Sequence, residues 1–387
     1  MITHSFYESD NRVIRYAESL AQRGDYVDVV ALRRAPQMAR EEIISGVRLF
    51  RIQDRFGKDK PSKPGSFLWP ILRFLASSSL WLARQHWRER YDLVHVHNIP
   101  DFLVFAASYP RLTGAKVILD IHDIVPEFFS SKFRVSENTA LVRGLKFAEK
   151  VSAAFAHHVI LANDLWLDKY VKRATKREKC SVFINHVDAR IFQPVQRGVG
   201  NGKRVILFPG GLQWHQGVDI AIRAFAKLRA RFPRAEFHVY GEGDMKRSLQ
   251  TLAGELGLDG SVRFFAPLGL RDIAGVMANS DLGVVPKRAD SFGNEAYSTK
   301  IMEFMSVGVP VVVASTKIDR YYFDDSVVRF FESGNVDALA ESMYEVLNNE
   351  QLRRGLASRA LEYAARHSWT NHRHEYLKLV DTLCLLR

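Results

Sequence analysis

Residues 204–240 read RVILFPGGLQWHQGVDIAIRAFAKLRARFPRAEFHVY. A short apolar run from Val205 to Phe208 stops at Pro209-Gly210-Gly211, apolar residues then recur at helical spacing from Val218 to Arg231, and a second run follows from Glu236 to Tyr240. Strand, helix, strand in that order predicts two parallel strands joined by a crossover helix. The unit repeats downstream, with a helix over Met245 to Leu256, strands over Val262 to Phe265 and Leu282 to Val285, a helix through Lys300 to Val307 and a strand over Val309 to Ala314. It also occurs upstream, where strands are expected at Val27 to Leu32, Leu93 to His97, Val117 to Ile121 and His158 to Ala162. A helix from Val13 to Arg23 closes on Gly24, a residue suited to a left-handed helix end.

The alternation places the chain in the α/β class, with two Rossmann-like, doubly wound parallel-sheet domains. At about 150 residues per domain, 387 residues fit two. The glycine-rich stretch 193–203 holds little that could pack and reads as the linker between a domain over 1–192 and one over 204–369. The apolar positions of the last helix, among them Tyr376, Leu377, Val380 and Leu383, are expected to carry residues 370–387 back onto the first domain. Such sheets bind ligands at the carboxyl ends of their strands, so function is expected in a cleft that both sheets face.

Composition narrows the classes. Two cysteines, Cys180 and Cys384, exclude a disulfide framework or zinc ribbon and suit a reducing cytoplasm. Residues 1–5 carry none of the features of a secretory leader. The net charge is +12, and ten of those twelve charges fall in the first 200 residues, which suits a phosphate-rich partner. Charge alone is the only support for nucleic acid, because no helix-turn-helix, zinc finger or aromatic RNA-binding signature is present. A dinucleotide-dependent oxidoreductase is the other alternative, but the full glycine fingerprint after the first strand is missing and Gly241-Glu242-Gly243 is only a fragment of it.

The densest constellation is Asn294-Glu295-Ala296-Tyr297-Ser298-Thr299-Lys300-Ile301-Met302-Glu303. If a helix starts within it, the amides of Ser298 and Thr299 can hold a diphosphate, Lys300 adds a charge, and Glu303 can hold a diol such as ribose. Gly210 and Gly211 lack Cβ atoms and let backbone amides come close to a phosphate or sugar.

These stretches resemble the retaining glycosyltransferases of family four, two-domain GT-B enzymes that use nucleotide-sugar donors. Val205 to Gly211 is similar to the first strand and glycine turn of that family's donor domain, His238 to Gly243 to its strand and Gly-x-Gly loop, and Glu295 to Glu303 to its glutamate pair. Tyr91 to Asn98, Leu119 to Asp123 and Asn185 to Asp188 also match recurring segments, so the resemblance spans nearly the whole chain. It implies that Glu295 and His122 act at the donor sugar. It further implies that Glu303 meets the ribose, that Ser298, Thr299 and Lys300 meet the diphosphate, and that Gly210, Gly211, Gly241 and Gly243 line the donor site. Transfer would run without a metal or other cofactor, to a lipid-linked or polysaccharide acceptor in bacterial cell-surface glycan synthesis.

Two departures bear on this. Many members carry an Arg and a Lys after the first glycine turn, where this chain has Leu212-Gln213-Trp214-His215-Gln216, so Lys300, Arg288 and Lys287 become candidates for the missing charge, with His215 a further one. Members usually open with a full strand and a glycine-rich loop, where this chain has Met1-Ile2-Thr3-His4 and then Ser9-Asp10-Asn11-Arg12. A last feature is the apolar, basic stretch from Phe67 to Arg90, preceded by Lys58, Lys60 and Lys63. It could pack in the first core or lie in the headgroup plane of an anionic membrane at the inner face of the cell.

Overall fold

The computed structural model describes residues 1–55, 68–133, 135–136, 138–196 and 203–385. They form two compact units, Met1–Asn185 with His372 onward, and His186–Asn371.

The first unit is built on an eight-stranded sheet: β1 (Ile2–Thr3), β2 (Asp28–Arg33), β3 (Glu41–Ile44), β4 (Val47–Asp54), β5 (Leu93–His97), β6 (Lys116–Ile121), β7 (His158–Leu161) and β8 (Cys180–Val182). The spatial order is β3-β4-β2-β1-β5-β6-β7-β8, and every pair is parallel except the β3–β4 hairpin. The chain reverses its direction of travel across the sheet between β1 and β5, the switch point where ligands enter such sheets. Buried apolar runs such as Val117, Ile118, Leu119 and Ile121 explain why these segments become central strands, covered on both faces.

The second unit has six parallel strands: β9 (Arg204–Pro209), β10 (Ala235–Tyr240), β11 (Val262–Phe265), β12 (Leu282–Val285), β13 (Val311–Ser315) and β14 (Arg329–Glu332). Their order is β11-β10-β9-β12-β13-β14, so the switch point lies between β9 and β12. The helix Val218–Arg231 buries Val218, Ile222, Phe225 and Leu228 against this sheet, the three- and four-residue stripe expected from its sequence. The helix Thr299–Ser306 buries Ile301, Met302, Phe304 and Met305.

Residues 186–192, assigned by sequence to the first domain, belong to the second unit. Val187 and Phe192 pack in one core cluster with Leu207 and Phe304, and Ser306 Oγ donates to the Phe192 carbonyl at 2.7 Å. Of the expected linker, residues 197–202 lie outside the described residues. The last helix, Trp369–Leu385, lodges in the first unit from His372 on: the Tyr376 ring lies 4.2 Å from that of Tyr16, and Asp381 pairs with Arg23 at 2.7 Å.

The apolar, basic stretch forms the helix Leu68–Arg88. Phe74, Ser78, Leu82 and His86, four residues apart, are buried. The opposite face exposes Trp69, Leu72, Leu80 and Trp87 together with Arg73, Arg84 and Arg88. Lys58, Lys60 and Lys63 lie outside the described residues. No helix among the described residues is long and apolar enough to cross a membrane.

Candidate active site

In the second unit the loops that follow β9, β10 and β12 converge at the switch point. Gly210 N–H donates to the Tyr240 carbonyl at 2.8 Å, Leu212 N–H to that of Glu242 at 2.9 Å, and Arg288 N–H to that of His215 at 2.9 Å. Gly241 is required by this meshing, because a Cβ there would stand 1.8 Å from the Gly210 carbonyl oxygen. Gly243 meets the backbone of Leu212, with 2.4 Å between its would-be Cβ and the carbonyl oxygen, and the Cβ position of Gly211 is taken by the Gln213 side chain.

Lys300 lies across Gly210, with Nζ 3.2 Å from where a Cβ of Gly210 would be and 5.6 Å from the centre of the Phe208 ring. It stands in the first turn of the helix Thr299–Ser306, whose N-cap residue is Ser298. The Ser298 side chain makes no capping bond, and its buried Oγ has no hydrogen-bond partner among the described residues. A cation, a half-buried glycine without a Cβ and an uncapped helix start therefore coincide, which is the combination an anionic ligand needs. Burial lowers the pKa of Lys300, with Glu303 opposing the shift. Burial raises that of Glu303 one turn on, opposed by Lys300 and by a hydrogen bond from Thr299.

His215 sits in the turn after β9, edge-on to Phe292 with ring centres 5.4 Å apart. Burial holds its pKa at about 4; Asp290 opposes this, and Lys300, Lys287 and Arg288 add to the lowering. The two cations after β12 are already engaged. Arg288 donates to both carboxylate oxygens of Asp219 and lies 4.5 Å from the Trp214 ring centre. Lys287 is buried, pairs with Asp319 at 2.9 Å and donates to the Ala296 carbonyl at 2.8 Å, which fixes the segment entering the helix. Glu295 is half-buried at the head of that segment, its N–H bonded to the Phe292 carbonyl at 2.9 Å.

His122 follows β6 in the first unit. Its N–H donates to Asn98 Oδ1 at 2.7 Å, and Asn98 Nδ2 in turn donates to Asp101 Oδ1 at 2.7 Å and to the Asp123 carbonyl at 2.8 Å. The ring meets a buried ionic cluster. Asp120 accepts two bonds of 2.7 Å from Arg12, on the helix Asn11–Arg23. Asp120 Oδ2 lies 3.1 Å from His97 Nδ1 and 3.2 Å from His122 Nε2, with His95 Nε2 at 3.7 Å. Burial would raise the Asp120 pKa, but Arg12, His122 and His95 hold it well below the usual carboxylate range. Burial lowers the pKa values of His95 and His97. Potential ligand atoms of His95, His97 and Asp120 lie within 4.8 Å of one another, but Arg12 occupies both Asp120 oxygens and its positive charge opposes a cation there.

The structure thus brings Ser298, Thr299, Lys300, Glu303 and Gly210 to one switch point, and gives Arg288, Gly241 and Gly243 partners inside the protein. Arg12, Asp219 and Asp319 carry the supporting contacts and were not singled out from the sequence. A signal existed for the first cluster, since His95 with His97 and Asp120 with His122 alternate at the period of two that puts them on one strand face.

Two doubly wound α/β units of this topology are the architecture of the GT-B glycosyltransferases. Residues 190–363 match the family described as glycosyl transferases group 1, and residues 10–186 match the glycosyl transferase 4-like domain. The chain belongs to this glycosyltransferase family. It is 30% identical over 297 residues to a D-inositol 3-phosphate glycosyltransferase of Saccharomonospora viridis, covering 72% of this chain and 67% of that one. It is 28% identical over 203 residues to a phosphatidyl-myo-inositol mannosyltransferase of Mycolicibacterium smegmatis, and that match spans about half of each protein, 51%. Among solved structures, sucrose-phosphate synthase from Thermosynechococcus elongatus superposes with a TM-score of 0.79 at 17% identity, covering 100% of this chain and 99% of that one. Anabaena HepE in complex with UDP and glucose gives 0.73 at 17% identity, covering 98% of both chains.

Proposed function

We propose that the chain moves a hexosyl unit from a nucleoside diphosphate sugar to a lipid-linked or glycan acceptor, with retention at the anomeric carbon, in cell-surface glycan synthesis. The observation that carries this reading is the Lys300 ammonium lying across Gly210 at the start of the helix Thr299–Ser306, beside the Ser298 hydroxyl, which has no partner among the described residues. The amides of this helix end and Lys300 offset the charge that develops on the leaving diphosphate. Glu303 holds the ribose hydroxyls, Glu295 and His122 contact the transferred sugar, and His215 lies beside the phosphates. Arg288 acts through Asp219 and the Trp214 carbonyl, holding the turn after β9. Departure of the diphosphate on the face that the acceptor enters lets its oxygen take the acceptor's proton, so the reaction calls for neither a metal nor a dedicated protein base. The UDP and glucose in the HepE complex support the donor class, and the phosphatidyl-myo-inositol in one relative's name supports a lipid-linked acceptor.

The test is transfer from a donor of defined anomeric configuration, with the product read by NMR. An inverted product would contradict retention. Replacing Glu295 or His122 should cut turnover far more than affinity for the bare nucleotide, and equal losses would contradict their placement at the sugar.

A membrane-surface location for the acceptor is favoured by the helix Leu68–Arg88. Trp69, Leu72, Leu80 and Trp87 form one exposed stripe flanked by Arg73, Arg84 and Arg88, a pattern that suits the headgroup layer of an anionic bilayer.

A further inference from the structure

Three polar atoms meet beneath His122. His97 Nδ1 and His122 Nε2 are 3.0 Å apart, and each lies within 3.2 Å of Asp120 Oδ2. A ring nitrogen presents either an N–H or a lone pair, and the three distances admit few assignments. If His97 Nδ1–H served both neighbours, the Nε2 lone pair of His122 would point at a carboxylate oxygen that Arg12 keeps ionised, a repulsive contact in a buried site. If His122 Nε2–H served both, His97 would carry its proton on Nε2, which is buried without a partner among the described residues, and an unmet buried N–H is costly. The remaining arrangement has both N–H groups converging on Asp120 Oδ2. It leaves a lone pair unmet at His97 Nε2 and sets two N–H groups side by side at 3.0 Å, a repulsion that their shared anionic acceptor offsets.

We infer that Asp120, held by Arg12, is a positioning residue that fixes neutral His122 as the Nε2–H tautomer and leaves its Nδ1 as a hydrogen-bond acceptor for a hydroxyl of the transferred sugar. The last clause rests on the proposed placement of His122 at the sugar, and the tautomer does not. The residue is held at two points, its backbone N–H on Asn98 and its ring Nε2 on Asp120. It keeps 18% of its side-chain surface exposed, and Nδ1 has no hydrogen-bond partner among the described residues. A tautomer set by the bond that the other ring nitrogen makes is a general property of histidine. Here it makes His122 a reader of hydroxyl groups and not a donor.

The experiment is a long-range 1H–15N correlation on the protein labelled with 15N-histidine at pH 8, with His122 assigned by comparison with His122→Gln. An unprotonated Nδ1 and a protonated Nε2 are expected for His122, and a proton on Nδ1 overturns the inference. In Asp120→Asn, His122 should become a mixture of tautomers and turnover should fall at least tenfold with affinity for bare nucleotide unchanged. An unchanged tautomer and turnover overturn the inference. Because Asp120→Asn leaves Arg12 buried and unpaired, the double variant Arg12→Gln with Asp120→Asn gives a second test without that charge. If the tautomer is as inferred but His122→Gln keeps full turnover, the placement of His122 at the sugar falls and the positioning by Asp120 stands.

Discussion

Arg288 and Asp219 bind each other through two hydrogen bonds, Nη1 to Oδ1 at 2.9 Å and Nη2 to Oδ2 at 2.6 Å, while Nη1 also donates to the Trp214 carbonyl at 2.6 Å. The guanidinium that the sequence offers to a diphosphate is therefore committed to the loop after β9. Lys300 is the cation that lies across Gly210.

Lys300→Ala should weaken nucleoside diphosphate binding by about 1.5 to 3 kcal/mol, roughly ten- to a hundredfold. Arg288→Ala should cost less in affinity. It should instead lower stability, and a double-mutant cycle with Asp219→Ala should return a coupling of about 1 kcal/mol. Calorimetry and thermal unfolding of the four variants measure both; equal affinity losses at Lys300 and Arg288 would reverse the assignment.

Glu303→Ala should also weaken nucleoside diphosphate binding by roughly ten- to a hundredfold. The loss should vanish for a 2′,3′-dideoxy analogue, which has no diol to hold. An equal loss for both ligands would place Glu303 elsewhere.

Burial depresses the His215 pKa to about 4 from an ordinary value of 6.5. The unfolded chain therefore takes up a proton before the folded one, and the stability this group contributes is lost as pH falls from 6.5 towards 4. His215→Gln should lose less melting temperature than the parent between pH 7 and pH 4.5. Parallel pH profiles would mean that the ring protonates freely in the fold.

The exposed stripe on Leu68–Arg88 should support binding to anionic vesicles. A basic residue near such a surface contributes about 1 kcal/mol, so a triple Lys→Glu change at Lys58, Lys60 and Lys63 should abolish weak docking, and added salt should reverse it in the parent. Trp69→Ala with Trp87→Ala should reduce it through the apolar side. Equal cosedimentation with neutral and anionic vesicles would leave the stripe without this role.

The second unit was legible because its signals are local. Apolar runs, glycine turns and the Glu295–Glu303 spacing sit within a few residues of the groups they position, and the expected strands and helices fall within two residues of those found, whereas β14 and the helices Leu270–Ala278, Lys317–Tyr322, Val336–Asn348 and Glu350–Arg366 are not among those expected. The β3–β4 hairpin was missed because Glu41, Glu42 and Ile43 are exposed and show no apolar run. Arg12 meets Asp120 across 108 residues and Arg288 meets Asp219 across 69, so charge alone could not pair them. Glycine-rich 193–203 points to a boundary there, whereas Val187 and Phe192 already pack in the second core.

The most direct measurement of the central claim is calorimetric titration of the protein with UDP, GDP and NAD, repeated with Lys300→Ala. The account predicts saturable binding of at least one nucleoside diphosphate, weakened ten- to a hundredfold by the substitution, and no comparable binding of NAD. Failure of both diphosphates to bind, or tighter binding of NAD than of either, would contradict it.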